Sequence, residues 1–343
     1  MNSQDESARL LQESLRRATG DANPSLTSSV IPALLRGIGR TATALRGAHS
    51  VEKAGSDNVF GDAQLNVDVL AERFFREEVA ACPAIVAASS EEDPVEQKKK
   101  KKKQRTTPGD DDDEEEVYTV AFDPLDGSSI IAPNWTVGSI LGIWAGRSAL
   151  RQDPSRQQIA AVLGVYGPRT TVVIAVRVPG RESSAVCLEV GVGVVDDDDD
   201  SGSYEIVRDL TLGNSETKTR YFAPANLRAA SEDARYMALV TRYVTERYTL
   251  RYSGGLVPDV VHALVKGHGV YLSPVTAGSR AKLRRAFELL PVALVVECAG
   301  GMAIDPADGR RILDTPLKHL DETAGLVCGT AAEVEKVKAA LLG

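Results

Sequence analysis

Phe122-Asp123-Pro124-Leu125-Asp126-Gly127-Ser128-Ser129-Ile130 is the most informative stretch of this chain. It closes an apolar run, residues 117–122, which predicts a buried strand that ends in a turn. The turn carries two carboxylates three positions apart, and carboxylate oxygens suit Mg²⁺ and Mn²⁺. A glycine followed by two hydroxyl residues can surround a phosphate with N–H and O–H groups. The stretch therefore predicts a turn that holds a divalent cation beside a phosphate, with a tight Asp-rich turn capped by hydroxyls as the structural alternative.

The length and charge of the chain exclude several classes of protein. Its 343 residues are enough for two domains. The net charge of −8 gives no overall basic field for nucleic acid, and no apolar run is long enough to cross a membrane. Neither end of the chain has the pattern of a signal peptide, a transit peptide or a peroxisomal signal, so we expect a cytoplasmic protein, with an organelle left open.

The cysteines are scattered without C-x-x-C spacing, which argues against a zinc site or a disulfide framework and suits a reducing compartment. They are Cys82, Cys187, Cys298 and Cys328.

Strand and helix patterns alternate along both halves of the chain, which is typical of an α/β fold. We expect a flexible segment over residues 1–20, a first domain over 21–208 and a second domain over 209–343. The predicted helices are residues 8–18, 28–46, about 62–75, 231–247, 259–266 and 280–289. The predicted strands are residues 84–88, 117–122, 137–144, 157–166, 171–178, 185–195, 204–210 and 270–272.

A charged insertion interrupts the first domain at residues 97–116. A run of lysines at 98–103 is followed by a run of acids at 110–116. Such blocks repel within themselves and contain no apolar residues for a core, so the insertion is predicted to be disordered. The lysine run taken alone could bind nucleic acid or an anionic lipid, but the neighbouring acids would compete for it.

Two further groups of acids lie near predicted helix and strand ends. Asp62 and Asp68 occur at the entry to the helix near 62–75, where either could simply complement the helix dipole. Glu91 and Glu92 follow the strand at 84–88, where they form either a solvated turn or metal ligands at the carboxyl edge of a sheet. The residues alone leave these alternatives open.

Several ordered motifs resemble the class 1 fructose-1,6-bisphosphatase and sedoheptulose-1,7-bisphosphatase family. The similarity runs from about residue 43 to the end of the chain and is broken by the charged insertions. The string at 248–260, Tyr-Thr-Leu-Arg-Tyr-Ser-Gly-Gly-Leu-Val-Pro-Asp-Val, is closer to the sedoheptulose branch than to the fructose branch. The other motifs are Gly-Asp-Ala-Gln-Leu-Asn-Val-Asp (61–68), Ser-Glu-Glu-Asp (90–93), Asp-Pro-Leu-Asp-Gly-Ser-Ser-Ile-Ile (123–131), Tyr-Gly-Pro-Arg-Thr-Thr (166–171), Asn-Leu-Arg-Ala (226–229) and Ala-Lys-Leu-Arg (281–284).

The resemblance implies a layered α-β-α-β-α sandwich whose site lies between its two halves. It implies about two or three Mg²⁺ ions per site, which Mn²⁺ can replace. The implied metal ligands are Glu91, Glu92, Asp123, Asp126, Glu288 and the carbonyl of Leu125. The implied catalytic acids near the attacking water are Asp62, Asp68 and Glu92.

The resemblance also implies two phosphate sites on the substrate. Asp126, Gly127, Ser128 and Ser129 would hold the end that carries the 1-phosphate. The sugar and its distal phosphate would be held by Asn226, Arg228, Arg251, Tyr252 and Lys282. Arg251 would reach in from a neighbouring subunit, so a homodimer or homotetramer is expected. Without the resemblance, surface solvation would be the favoured interpretation of Arg251 and Lys282.

This chain departs from the family pattern at a few positions. Ala132 stands where the family usually has an aspartate, and the loss of that acid would affect metal or water positioning. Ala229 and Ser273 replace two tyrosines that assist the distal phosphate in fructose bisphosphatases, which favours a longer, seven-carbon substrate. Residues 46–60 contain no cysteine, so the thioredoxin control of plastid relatives is not expected. The nucleotide-inhibition site of fructose bisphosphatases is not recognisable in residues 1–45.

The implied activity is Mg²⁺-dependent removal of the 1-phosphate of sedoheptulose 1,7-bisphosphate, which yields sedoheptulose 7-phosphate and phosphate. One alternative is hydrolysis of fructose 1,6-bisphosphate, or of both sugars. A second is a sugar-phosphate-binding relative without catalysis, suggested by Ala132. A third is an interaction protein that works through the lysine run at 98–103.

Overall fold

A computed structural model describes residues 3–57, 63–99, 116–193, 203–213, 218–280 and 282–343. Its strands are β1 (Lys53–Asp57), β2 (Ala63–Leu65), β3 (Ile85–Ser90), β4 (Gln97–Lys98), β5 (Tyr118–Asp126), β6 (Val137–Ala145), β7 (Gln158–Tyr166), β8 (Thr170–Val176), β9 (Val186–Val192), β10 (Tyr204–Asp209), β11 (Tyr221–Pro224), β12 (Thr249–Leu250), β13 (Val270–Ser273), β14 (Met302–Ile304) and β15 (Leu326–Gly329). Its helices are α1 (Ser3–Thr19), α2 (Ile31–Gly47), α3 (Asn66–Ala81), α4 (Ser128–Ile131), α5 (Pro154–Gln157), α6 (Ala234–Thr245), α7 (Leu256–Lys266), α8 (Leu290–Cys298) and α9 (Ala331–Leu342).

The strands form a large sheet and a small sheet, besides the β1–β2 hairpin. The large sheet has the order β10-β9-β8-β7-β6-β5-β3-β4, and its pairs are antiparallel except for β3 with β5. The small sheet has the order β12-β11-β13-β15-β14 and is mixed, with β11 parallel to both of its neighbours. All nine residues of β5 are buried, as expected of a central strand that is covered on both faces.

Helices and sheets alternate in five layers. One face of the large sheet packs against α1, α2 and α3, with Leu34 and Phe75 in that core. The other face packs against α7 and α8, which also contact the small sheet. The far face of the small sheet is covered by α6 and α9. The predicted α/β class and the layered α-β-α-β-α sandwich are therefore confirmed.

The helix α8 is apolar on every face because it lies between the two sheets. All seven residues from Leu290 to Val296 are buried. A helix with one solvated face would show an apolar stripe, whereas a helix enclosed in a core does not. This explains why residues 290–299 gave an apolar run without helical periodicity.

The N-terminal segment differs from the expectation of a flexible stretch over residues 1–20. Residues 3–19 form α1, and Leu11, Leu15 and Ala18 are buried in the first core. These positions share one face of a helix because they are spaced by four and three residues. The weak amphipathic pattern at 8–18 was the better guide.

The predicted helix over residues 280–289 is wrong in its first half. The backbone at Arg284 is extended, with φ −80° and ψ 127°. A π-helical turn, Arg285–Leu289, follows and continues into α8. Pro291 has no N–H to give to a carbonyl four residues earlier, and a wider turn ahead of it avoids the clash with that carbonyl. The same arrangement occurs before α2, where the π-turn Leu26–Val30 precedes Pro32.

The insertion at 97–116 lies mostly outside the described residues. Its first two residues form β4, which pairs with β3 at the edge of the large sheet. At its other end, Glu116 accepts hydrogen bonds from the N–H groups of Ser25 and Leu26. The segment between α2 and α3 contains β1, which pairs with β2.

Within the described part of the chain, we find no helix both long and apolar enough to cross a membrane.

Candidate active site

The metal-binding turn predicted at 123–131 begins in the last residues of β5 and continues through Gly127 into α4. The pairing of β5 with β6 is irregular between Asp123 and Asp126, and Gly127 leaves the strand with φ +99°, a backbone conformation that favours glycine. Ser139 on β6 donates a hydrogen bond to the carbonyl of Pro124 at 2.6 Å. The Tyr166 hydroxyl lies 2.7 Å from the Ser139 oxygen, and it acts as the donor because the Ser139 proton is already used. The side chains of Ser139 on β6 and Tyr166 on β7 therefore hold the turn in place.

Asp123, Asp126 and Glu288 form a buried acidic cluster. A carboxylate oxygen from each lies within 4.8 Å of one from each of the others, and the residues are 5%, 8% and 6% exposed. Burial and the charge of Glu91 raise the pKa values of Asp123 and Glu288 well above their usual range. Burial raises the pKa of Asp126 to about 6. Converging buried carboxylates are costly unless cations lie among them, so the cluster has the composition of a divalent cation site.

Arg284 is a site residue that the sequence reasoning did not identify. Its backbone N–H donates to the carboxylate of Glu288, and its Nε lies 3.7 Å from Glu91 Oε1. The quoted motif at 281–284 contained this arginine, but that motif directed attention to Lys282. Arg284 lies four residues before Glu288, an implied metal ligand, at the start of a helical turn, and this spacing was the available signal.

Asp68 approaches the same site from α3. Its Oδ2 accepts a hydrogen bond from the N–H of Leu65 at 2.9 Å, as a residue in the first turn of a helix can. Its Oδ1 is buried and has no hydrogen-bond partner among the described residues. Burial and the charge of Glu92 raise the pKa of Asp68 to about 6, although the hydroxyl of Ser128 lowers this pKa. Asp68 therefore serves the helix with one oxygen and leaves the other available to the site.

The remaining predicted residues of the scissile-phosphate end are placed on or near the turn. Ser128 and Ser129 are exposed in α4, directly after Gly127. The Ser128 hydroxyl donates to the carbonyl of Leu125 at 3.4 Å, so this carbonyl faces the same side as the serines. Asp62 lies outside the described residues, and its predicted role stays a prediction.

The predicted distal-phosphate residues occur in several loops of the second half. Tyr252 is 44% exposed, and its hydroxyl donates to the carbonyl of Ala225 at 2.9 Å, beside exposed Arg228. Exposed Arg251 lines a cavity of about 760 Å³ together with Trp135 and His262. Lys282 is exposed and lies two residues before Arg284 in the sequence.

Asn226 has an internal role that the sequence did not indicate. Its side-chain N–H₂ donates to the carbonyl of Pro274 at 2.6 Å, and its Oδ1 accepts from the Ser279 hydroxyl at 2.6 Å. The amide therefore holds the loop at 274–279 in place. Of the departures from the family pattern, Ala132 is exposed, Ser273 is half-buried and Ala229 is fully buried.

The turn before α7 joins the two groups of residues. Both carboxylate oxygens of Asp126 accept hydrogen bonds from N–H groups of α7, and this helix follows directly after Arg251, Tyr252 and a Gly-Gly turn. The acidic cluster and the distal residues therefore share one structural unit. The arrangement can hold a divalent cation at one end and a second anionic group at the other.

Comparisons with known proteins agree with this arrangement. The family model "Fructose-1-6-bisphosphatase, N-terminal domain" matches residues 11–194, and "Fructose-1-6-bisphosphatase, C-terminal domain" matches residues 215–342. The chain is 35% identical over 337 residues to a chloroplastic sedoheptulose-1,7-bisphosphatase of Spinacia oleracea, covering 97% of this chain and 78% of that protein. It is 34% identical over 286 residues to a class 1 fructose-1,6-bisphosphatase of Syntrophotalea carbinolica, covering 82% and 79%.

A solved structure is also similar. A Toxoplasma gondii protein provisionally named sedoheptulose-1,7 bisphosphatase superposes with a TM-score of 0.82 and 36% identity, covering 97% of this chain and 98% of that one. The two family models, the relatives above 30% identity and the shared fold all point to the same group of enzymes. The chain therefore belongs to the fructose-1,6-bisphosphatase family of sugar bisphosphatases, which hydrolyse phosphate monoesters.

Proposed function

We propose that this protein removes the 1-phosphate of sedoheptulose 1,7-bisphosphate in a Mg²⁺-dependent reaction. The observation that carries the proposal is the buried cluster of Asp123, Asp126 and Glu288, whose oxygens lie within 4.8 Å of one another at the edge of the predicted phosphate turn. A phosphate monoester dianion repels an attacking water, and divalent cations held by such a cluster offset that charge.

The residues present fit Mg²⁺ or Mn²⁺. The donors are all oxygen atoms, which suits hard cations and disfavours zinc, whose structural sites use cysteine and histidine. Asp123, Asp126 and Glu288 would hold the cation, with Glu91, Glu92 and the Leu125 carbonyl around it. The hydrogen bonds that Asp126 accepts from α7 do not prevent this, because a carboxylate has about four lone-pair directions. When bound, the cation would acidify the attacking water and neutralise charge on the phosphate.

The chain's own residues supply binding and proton transfer. Asp68 would take the proton of the attacking water on Oδ1, which has no hydrogen-bond partner in the described part of the chain, assisted by Glu92. Gly127, Ser128 and Ser129 would orient the scissile phosphate through N–H and hydroxyl groups. Arg228, Arg251, Tyr252 and Lys282 would hold the sugar and the distal phosphate, because guanidinium groups donate paired hydrogen bonds to phosphate oxygens.

The preference for a seven-carbon sugar is supported by a position around the distal site. Ser273 is half-buried and stands where fructose bisphosphatases carry a tyrosine, and its smaller side chain leaves room for a longer substrate. Ala229, the other such position, is fully buried in the core and adds no such room. The Spinacia oleracea relative, named a sedoheptulose-1,7-bisphosphatase, aligns with 97% of this chain. The rival substrate is fructose 1,6-bisphosphate, after which the Syntrophotalea carbinolica relative is named.

The active form is proposed to be at least a dimer. Arg251 is exposed and lines the 760 Å³ cavity with exposed Trp135, so its side chain is accessible to a second copy of the chain. In this arrangement Arg251 contacts the distal phosphate in a neighbouring site.

The experiment measures phosphate release from sedoheptulose 1,7-bisphosphate by the purified protein, in Mg²⁺ and in EDTA, with the product identified by ³¹P NMR. The expected result is release in Mg²⁺ alone, with sedoheptulose 7-phosphate as the product. Release that persists in EDTA, or a product that retains the 1-phosphate, would contradict the proposal. Binding of the sugar without release would point to a non-catalytic relative.

A further inference from the structure

Asp126 connects the predicted metal-binding turn at 123–131 (the metal turn) to the beginning of α7. Its Oδ1 accepts a hydrogen bond from the N–H of Leu256 at 3.2 Å, and its Oδ2 accepts one from Val257 at 2.7 Å. The first N–H groups of a helix have no partner within the helix. The third residue of α7 is Pro258, which has no N–H to satisfy. One carboxylate from the metal turn therefore completes the start of this helix.

Asp259, in the first turn of α7, fixes the segment just before the helix. It is 6% exposed, and it accepts hydrogen bonds from the N–H groups of Ser253 at 2.7 Å and Gly254 at 3.3 Å. Gly254 has φ +106°, and a Cβ built there would lie 3.1 Å from Ile130, next to the metal turn. Residues 253–254 are therefore held between a buried carboxylate on one side and the metal turn on the other.

The segment that Asp259 holds also carries two of the proposed distal-phosphate residues. Arg251 and Tyr252 directly precede Ser253, and the Tyr252 hydroxyl is fixed to the carbonyl of Ala225 at 2.9 Å. A displacement of residue 253 would move both side chains relative to the acidic cluster. Among the described residues Asp259 is not part of that cluster, and both of its oxygens accept hydrogen bonds from the segment before α7.

We propose that Asp259 is a positioning residue that sets the separation between the cation site and Tyr252 within one subunit, and with it the direction in which Arg251 reaches the neighbouring site. The inference rests on the proposed function and deepens it. The hydrogen bonds from the N–H groups of Ser253 and Gly254 need a carboxylate at residue 259, because each of its two oxygens accepts one of them. An asparagine offers one acceptor oxygen, and its N–H₂ would face a backbone N–H. The substitution Asp259→Asn therefore loosens the turn with little change in side-chain volume.

The test compares two substrates on the full-length enzyme in Mg²⁺. Sedoheptulose 1,7-bisphosphate carries both phosphates, whereas fructose 1-phosphate carries the scissile phosphate alone. For Asp259→Asn we expect KM for the bisphosphate to rise about tenfold, while KM and kcat for fructose 1-phosphate change by less than about twofold. A purely structural role would lower activity toward both substrates together. Equal changes for the two substrates would overturn the positioning role.

Two further variants keep the test decisive if Asp259→Asn folds poorly. Ser253→Ala removes a hydroxyl that accepts from the N–H of Gly255 at 3.3 Å and bonds to Asp259, and it leaves the buried charge in place. We expect the same selective rise in KM, of about threefold, and no selective rise would overturn the inference. Asp233→Asn is the matched control, because Asp233 accepts from the N–H groups of Arg235 and Tyr236 at the start of α6. Asp233→Asn should leave both KM values unchanged, and a selective rise in KM for this control would also overturn the inference.

The wild-type measurement separates this inference from the proposed function. If wild type uses fructose 1-phosphate as well as the bisphosphate, there is no distal grip, so the positioning role fails while hydrolysis of the bisphosphate still supports the proposed function. If wild type hydrolyses neither sugar, both proposals fail. If wild type prefers the bisphosphate and Asp259→Asn impairs both substrates equally, the positioning role fails while the proposed function stands. A preference in wild type that Asp259→Asn selectively removes supports both.

Discussion

The substitution Asp123→Asn should stabilise the metal-free protein while abolishing turnover. Asp123 is 5% exposed, and burial together with the charges of Glu91, Asp126 and Glu288 raises its pKa well above the usual range. A carboxyl whose pKa is raised on folding binds its proton more tightly in the folded state, so its ionisation above that pKa costs stability. An asparagine carries no charge and keeps an oxygen to accept the 3.0 Å hydrogen bond from Leu125.

The size of the effect follows from the neighbouring Asp126. Its pKa of about 6, against a usual 3.8, corresponds to about 3 kcal/mol of unfavourable ionisation in the metal-free protein near neutral pH. Asp123 is likewise buried and faces the charges of Glu91, Asp126 and Glu288, and removal of such a buried like charge is expected to stabilise the metal-free protein by about 1–3 kcal/mol. That gain corresponds to a rise in Tm of about 1–4 °C for a chain of this size. Loss of a charged ligand from the cation site should lower kcat by more than about a hundredfold.

The assay is thermal unfolding of wild type and Asp123→Asn, each in EDTA and in Mg²⁺, beside phosphate release. Mg²⁺ should raise the Tm of wild type and have little effect on the variant, because a ligand stabilises only the state that binds it. Asp153→Asn is the control, since Asp153 caps α5 and its side chain is half-exposed. A metal-free Asp123→Asn protein that melts below wild type, or one that retains near-normal turnover in saturating Mg²⁺, would refute the reasoning.

Three further predictions concern other parts of the molecule. Burial raises the pKa values of Asp68 and Asp126 to about 6, so binding of Mg²⁺ below that pH must displace protons from the site. The apparent affinity for Mg²⁺, measured by isothermal titration, should therefore fall steeply as pH drops from about 7 to 5. The metal-free protein should show the opposite trend and gain stability over the same range. A Gly/Ser linker in place of residues 100–115 should leave Tm and turnover unchanged within error. Replacement of residues 97–116 should lower Tm, because it also removes β4 and Glu116. If both replacements lower Tm equally, the segment at 100–115 packs against the protein. Mixed dimers of Arg251→Ala and Asp123→Asn subunits should regain one intact site if Arg251 acts across the interface, and no recovered activity after subunit exchange would place the arginine within its own chain.

The strand end, the turn and the paired carboxylates of the metal turn were predictable because their signals are local. An apolar run that ends in Asp123 and Asp126, followed by Gly127 and two serines, specifies a strand, a turn and a set of oxygen ligands from adjacent positions. The structure confirms the strand as β5 and brings both carboxylates together. Nothing beyond the neighbouring residues was needed for that prediction.

The partners of the turn were not predictable from local patterns. Glu288 joins the cluster from more than 160 positions away, and it was named through the family resemblance. Arg284 was missed because an arginine in a charged segment looks like a solvated one until the fold places it against Glu91. The role of Asn226 in holding the loop at 274–279 likewise depends on contacts from residues about 50 positions away.

Elements of the second half show why periodicity was insufficient there. The strands β11 and β14 have four and three residues, too few to establish alternation. The helix α8 is enclosed by two sheets and therefore carries no polar face. The division of the chain at 208/209 stays a prediction.

The most direct test of the central claim is the ratio of kcat/KM for sedoheptulose 1,7-bisphosphate to that for fructose 1,6-bisphosphate, measured side by side at saturating Mg²⁺. Ser273 in place of a tyrosine at the distal end predicts a ratio above about ten in favour of the seven-carbon sugar. A ratio near one would describe an enzyme of dual specificity. A ratio below one would contradict the proposed substrate and identify fructose 1,6-bisphosphate as the preferred one.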